Sequence, residues 1–161
     1  GTFIKETLEK KNLKSIEKES IYNRKTLIEI IELRKIIETG IIDIAVDRMN
    51  ENDKKTLGKC IENHEKGLIK GVFPAEGDMS FHRALAKSTH NTVLIDYFDD
   101  IYLLVFNIVI GVDNYQRNYK KALEFHKDIY NSLLKKDKVS AKKHMEDHLD
   151  WLIKVISEDK A

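Results

Sequence analysis

The chain has 161 residues, 42% of them hydrophobic and 34% charged, which supplies one continuous core without disulfide staples. Its 28 basic and 27 acidic residues nearly cancel to a formal +1, which argues against a broad basic surface for a phosphate backbone. A single cysteine, Cys60, cannot form an internal disulfide; no apolar run reaches about 18 residues and no basic-then-apolar leader is present, so we expect a cytoplasmic protein without a membrane span.

One proline, seven glycines and few alternating β-branched runs favour helices almost throughout, and the expected fold class is an all-α bundle. The first helical segment, Ser20 to Met49, carries Leu27, Ile30, Ile31, Arg34, Ile37, Ile41, Ile44 and Ala45 near helical spacing, with Gly40 as a point where it kinks or divides. Arg34 therefore falls inside an apolar series. Asn50, followed by Glu51 and Asp53, reads as the cap of a second helix whose apolar side continues through Leu57, Cys60, Ile61, His64 and Leu68. The stretch from Gly67 to Gly77, with Pro74, breaks the pattern.

A further helix from Glu76 to Ser88 presents Asp78, Phe81, His82 and Leu85, and ends at the polar Ser88-Thr89-His90-Asn91. Asn91 is placed to cap the next helix. From Thr92 to Gly111 apolar residues occupy several faces, the pattern of a central helix or a subunit interface. Two amphipathic helices close the chain, Asn114 to Lys136 and Val139 to Ser157, across the short polar link Lys136-Asp137-Lys138.

Four potential metal ligands sit where this pattern places the core. Asp78 and His82 are four apart and project from one helix face; His126 lies with Ala122, Ile129 and Leu133, and His148 with Ala141, Met145 and Leu152. A histidine on an apolar face is usually an ordinary core residue bonded to a neighbour. A buried aspartate beside three such histidines changes that weighing, because a carboxylate in a core needs a cation or strong donors. A divalent metal satisfies all four together. Imidazole nitrogens and a carboxylate suit zinc, nickel, iron, copper or manganese, and zinc or nickel is the expected ion; without thiolates the set does not describe a closed structural zinc site. An octahedral ion would keep two positions for water or an incoming carboxylate. His144 competes with His148, but it follows Lys142 and Lys143 at the edge of the stripe.

The segments Glu32-Leu33-Arg34-Lys35-Ile36-Ile37-Glu38, Asp78-Met79-Ser80-Phe81-His82-Arg83-Ala84-Leu85, Ser88-Thr89-His90-Asn91, Glu124-Phe125-His126 and Met145-Glu146-Asp147-His148-Leu149 together resemble the FCD ligand-binding domain, the C-terminal effector module of FadR-type regulators in the GntR family. The resemblance covers Thr26 to Ile156. It implies an antiparallel bundle of six or seven helices in which Asp78, His82, His126 and His148 hold a divalent metal, while Arg34 and Asn91 line the effector cavity. His90 stands where that family often has a small residue, and Ala45-Val46 replaces a commoner pair of alanines. A surface role suits His90 better than an effector contact.

Chemistry adds to the resemblance at Arg34, whose planar cation is shaped to grip a carboxylate; an internal pairing with Glu38, one turn on, is the alternative. Gly1-Thr2-Phe3-Ile4 resembles the end of a wing in a winged helix-turn-helix domain. We therefore expect residues 1–20 to be wing end and interdomain linker, residues 21–161 to be the metal- and effector-binding domain, and DNA to be bound only through a missing N-terminal domain. The expected function is a homodimeric sensor of a small organic acid, not an enzyme. A metal-dependent hydrolase is the competing class, but no general base is well placed, and His144-Met145-Glu146-Asp147-His148 is not an H-E-x-x-H helix. A purely structural dimerisation module is the third.

Overall fold

The computed structural model describes residues 24–70, 75–109 and 118–158, which form six helices and, among the described residues, no strand. They are α1 (Arg24–Arg48), α2 (Glu51–Ile69), α3 (Ala75–Lys87), α4 (Thr92–Val109), α5 (Tyr119–Leu134) and α6 (Lys138–Glu158). The wing-like start, the linker, Pro74 and the stretch around Gly111 to Asn114 lie outside the described residues.

Local chemistry explains four of the ends. Asn50 Oδ1 accepts from the amides of Asn52 (2.8 Å) and Asp53 (3.1 Å), and Asp53 Oδ2 accepts in return from the Asn50 amide at 2.8 Å, a reciprocal capping box. Asn91 Oδ1 accepts from Val93 N at 3.1 Å and Leu94 N at 3.3 Å, capping α4. At the end of α5, Lys136 turns left-handed (φ 57°), with Lys136 N donating to Leu133 O and Asp137 N to Ser132 O, each at 3.0 Å. These two bonds satisfy the last carbonyls in a Schellman turn. Asp137 then accepts from Ser140 N at 3.0 Å and starts α6.

Two expectations change. Gly40 does not divide α1, which is continuous over 25 residues; a lone glycine weakens a helix only modestly, and the packed residues on either side hold it. The break expected from Gly67 begins later, because α2 carries through Gly67 and Leu68 to Ile69, with Leu68 packed on the core.

α1 lies against α6, α5 against α6, α2 against both α3 and α5, and α4 against α3. Lys35 pairs with Asp150, Lys142 with Asp43 and Lys138 with Asp47, all at 2.7 Å. Residue numbers rise on α1 as they fall on α6, so the two helices are antiparallel. The core between them and their neighbours is built from Ile41, Ile42, Ala45, Leu57, Phe81, Leu85, Ile129, Leu133, Met145 and Leu152. No helix among the described residues is long and apolar enough to cross a membrane.

Candidate metal centre

Three helices converge on one buried point. α3 presents Asp78 and His82 one turn apart, α5 presents His126 and α6 presents His148, each at most 2% exposed. Their ligand-type atoms all lie within 4.8 Å of one another. His82 Nε2 is 3.1 Å from His148 Nε2 and 3.2 Å from His126 Nε2. Asp78 Oδ1 is 3.2 Å from His126 Nε2, 3.7 Å from His148 Nε2 and 3.9 Å from His82 Nε2.

Those separations fit a shared ion. Donors about 2.0–2.2 Å from one metal stand roughly 3–4 Å from each other, depending on the angle between them. Asp78 Oδ1 is buried and, although His126 is in contact with it, no approach from the described residues has hydrogen-bond geometry. An unsatisfied carboxylate oxygen facing three imidazole nitrogens is what a cation would resolve.

Electrostatics keep the donors in ligating form. Burial pushes the Asp78 carboxyl up, but contact with His126 and the nearness of His82 and His148 outweigh it and hold the group well below the usual carboxylate range. Burial lowers His126, and burial together with neighbouring His126 lowers His148 well below its ordinary value, so both rings are neutral near pH 7.

Behind His82 lies a second buried layer. Arg34 Nε donates to Glu38 Oε1 at 2.6 Å within α1, and Glu38 Oε2 is bonded to His82 Nδ1. Burial raises the Glu38 carboxyl, but Arg34 and His82 more than compensate and lower it to about 2. A carboxylate beside Nδ1 places the ring proton there, leaving the Nε2 lone pair toward Asp78 and the other histidines. In the sequence Glu38 stands out only as an alternative partner for Arg34. An acid four residues from an arginine on the same apolar face was the available signal; the tie to His82, across 44 positions, was not.

The other singled-out residues lie outside the cluster. His144 is half-buried and not among the converging donors. His90 is exposed, with Nε2 2.8 Å from Asp53 Oδ2, and has φ 52°. A left-handed backbone is where a small residue, glycine above all, is favoured. The sequence marks His64 on α2 only as part of an apolar side, yet it is 1% exposed and its ring lies 5.5 Å from that of His126 and 5.2 Å, edge-on, from that of Tyr119. Burial is the main cause lowering it to about 4. Phe81 stacks on His126 at 4.4 Å and fixes that ring's plane.

Fold and site thus define an all-helical domain with a buried Asp/His₃ cluster of ion-binding shape. A family model described as the FCD domain matches residues 29–150, and the chain belongs to the FCD domain family. It is 32% identical over 123 residues to the uncharacterized HTH-type transcriptional regulator YcbG of Bacillus subtilis (76% of this chain, 51% of that protein). It is 28% identical over 129 residues to the Uxu operon transcriptional regulator of Escherichia coli (76% and 50%). The chain spans about half the length of the curated relatives it matches. A solved structure, Streptococcus agalactiae GntR, shares the fold with a TM-score of 0.69 at 21% identity, over 83% of this chain and 60% of that one.

Proposed function

We propose that this domain is the effector-sensing and dimerisation module of a bacterial GntR-family transcription regulator. In this reading Asp78, His82, His126 and His148 hold a divalent metal, zinc or nickel ahead of iron or manganese, and a small organic acid binds there. The observation that carries it is the buried Asp78 oxygen facing three imidazole nitrogens at 3.2 to 3.9 Å. The ion, when bound, supplies a Lewis-acidic centre with coordination room for one carboxylate oxygen.

The chain's own residues do the rest. Glu38 holds the Arg34 guanidinium inside the bundle through Nε, making a fixed cation beside the site. Asn91 commits its Oδ1 to the α4 cap, so its amide NH₂ is the group that would donate to the acid. Homodimerisation would use the apolar α4, where Val93 and Tyr97, four apart, are exposed. Preferential binding of the acid to one dimer arrangement would shift the attached winged domains toward or away from operator spacing, and DNA would be met only through those domains.

A sensing role is favoured over a hydrolase by the state of Glu38. This buried carboxylate beside the ligands is held by Arg34 and His82 and lowered to about 2, a poor proton acceptor for water. The two curated relatives from Bacillus subtilis and Escherichia coli are named as transcriptional regulators. Metal analysis of the purified protein, followed by thermal-shift titration with organic acids, tests the reading. One ion per chain and a rise in melting temperature with an acid are expected; no metal retained after reconstitution, or turnover of the acid, overturns it.

A further inference from the structure

One buried imidazole has no role in the metal centre. Both nitrogens of His64 are buried, and among the described residues neither has a hydrogen-bond partner. A neutral imidazole carries one N–H and one lone pair, and a core seldom leaves both unanswered. The neighbours that hold the ring do not answer them. Tyr119 and His126 meet it through ring faces and edges, and a Cβ on Gly77, the residue before Asp78, would lie 3.0 Å from its Cβ and Cγ. His64 is therefore clamped between the start of α3 and the α5 helix, against a member of the cluster but outside the four donors that converge. The four-donor centre thus lies one ring away from an imidazole whose N–H and lone pair are unanswered among the described residues.

We propose that His64 is an effector-recognition residue, hydrogen-bonding an oxygen of the small organic acid bound at the Asp78, His82, His126 and His148 centre. The inference rests on the metal and acid reading of that centre and adds the residue that discriminates among acids. An uncharged donor and acceptor pair suits a carboxylate oxygen or a hydroxyl, so acids with an oxygen beyond the one taken by the ion gain most.

Isothermal titration with acetate and with citrate, on nickel-loaded wild type and on His64→Leu and His64→Asn, tests this, with metal content measured on each. The expected result is one metal per chain in all three, at least a tenfold loss of acid affinity in His64→Leu, and partial recovery in His64→Asn, which keeps a donor. His64→Leu should also melt, metal-free, no lower than wild type, since it removes polar atoms that have no partner among the described residues. Unchanged acid affinity overturns the proposal, as does loss of metal from a folded His64→Leu or His64→Asn, which would make His64 a support for His126. Wild type without metal fails the underlying reading instead, and wild type with metal that takes neither acid overturns the effector reading and this inference together.

Discussion

Glu38 and His82 are hydrogen-bonded across the contact between α1 and α3, and this one bond selects which nitrogen of His82 faces Asp78. The same carboxylate accepts from Arg34, so a cation, an acid and an imidazole form a chain that ends at the cluster.

Glu38→Gln keeps the shape but weakens the hold on the His82 proton, and should lower metal affinity about 10- to 100-fold, as loss of a partner behind a ligating histidine does. Glu38→Ala should cost about 3–5 kcal/mol in addition, because it breaks a buried ion pair from one side. Competition titration with a chelating dye and urea unfolding measure the two effects separately.

Asp78→Ala and His148→Ala should each reduce bound metal below one per chain and abolish the rise in melting temperature on adding zinc or nickel. Elemental analysis and thermal melts with and without chelator check this. His144→Ala, outside the converging donors, should retain metal.

Acid should destabilise the metal-free protein early. Burial lowers His64 from 6.5 to about 4, with His126 and His148 shifted the same way, so below pH 6.5 the unfolded chain takes up protons that the folded chain refuses. Stability is therefore full above 6.5 and declines as pH falls toward about 4, at up to about 1.4 kcal/mol per pH unit for each such histidine. Glu38 contributes a later loss, present above 4.5 and gone as pH falls through about 2. Urea titrations across pH on chelated protein give the slope, and His64→Leu should flatten it.

His90→Gly should be neutral or stabilising by up to about 1 kcal/mol, since φ 52° costs a glycine nothing while the lost Asp53 pair is exposed on the histidine side. His90→Val should lose about 1–2 kcal/mol in the same backbone geometry. A wild-type melting temperature for the valine variant would show that the turn relaxes.

The three lysine bridges from α1 to α6 and the packing beneath α5 should separate clearly. Lys35→Ala, Lys138→Ala or Lys142→Ala should each cost less than about 1 kcal/mol, being partly solvated pairs. Ile129→Ala, fully buried, should cost about 2–5 kcal/mol. Chemical denaturation of the four variants decides it.

Interactions within a turn or two of helix were legible in the sequence. The caps at Asn50 and Asn91 follow from the affinity of an Asn side chain for free first-turn amides, and the apolar stripes, Asp78 and His82 on one face, and Arg34 one turn from Glu38 follow from a period of 3.6 residues. Helix ends were less so: Gly40 and Gly67 carry a weak local penalty that packing overrides. What only the tertiary structure decided is how far each helix is rotated and how deep it sits. That brought His126 and His148 to 3.1–3.2 Å from His82, set Glu38 behind it and pressed His64 against His126. Periodicity names the face a residue occupies, whereas the distance between faces on different helices is set by the side chains packed between them.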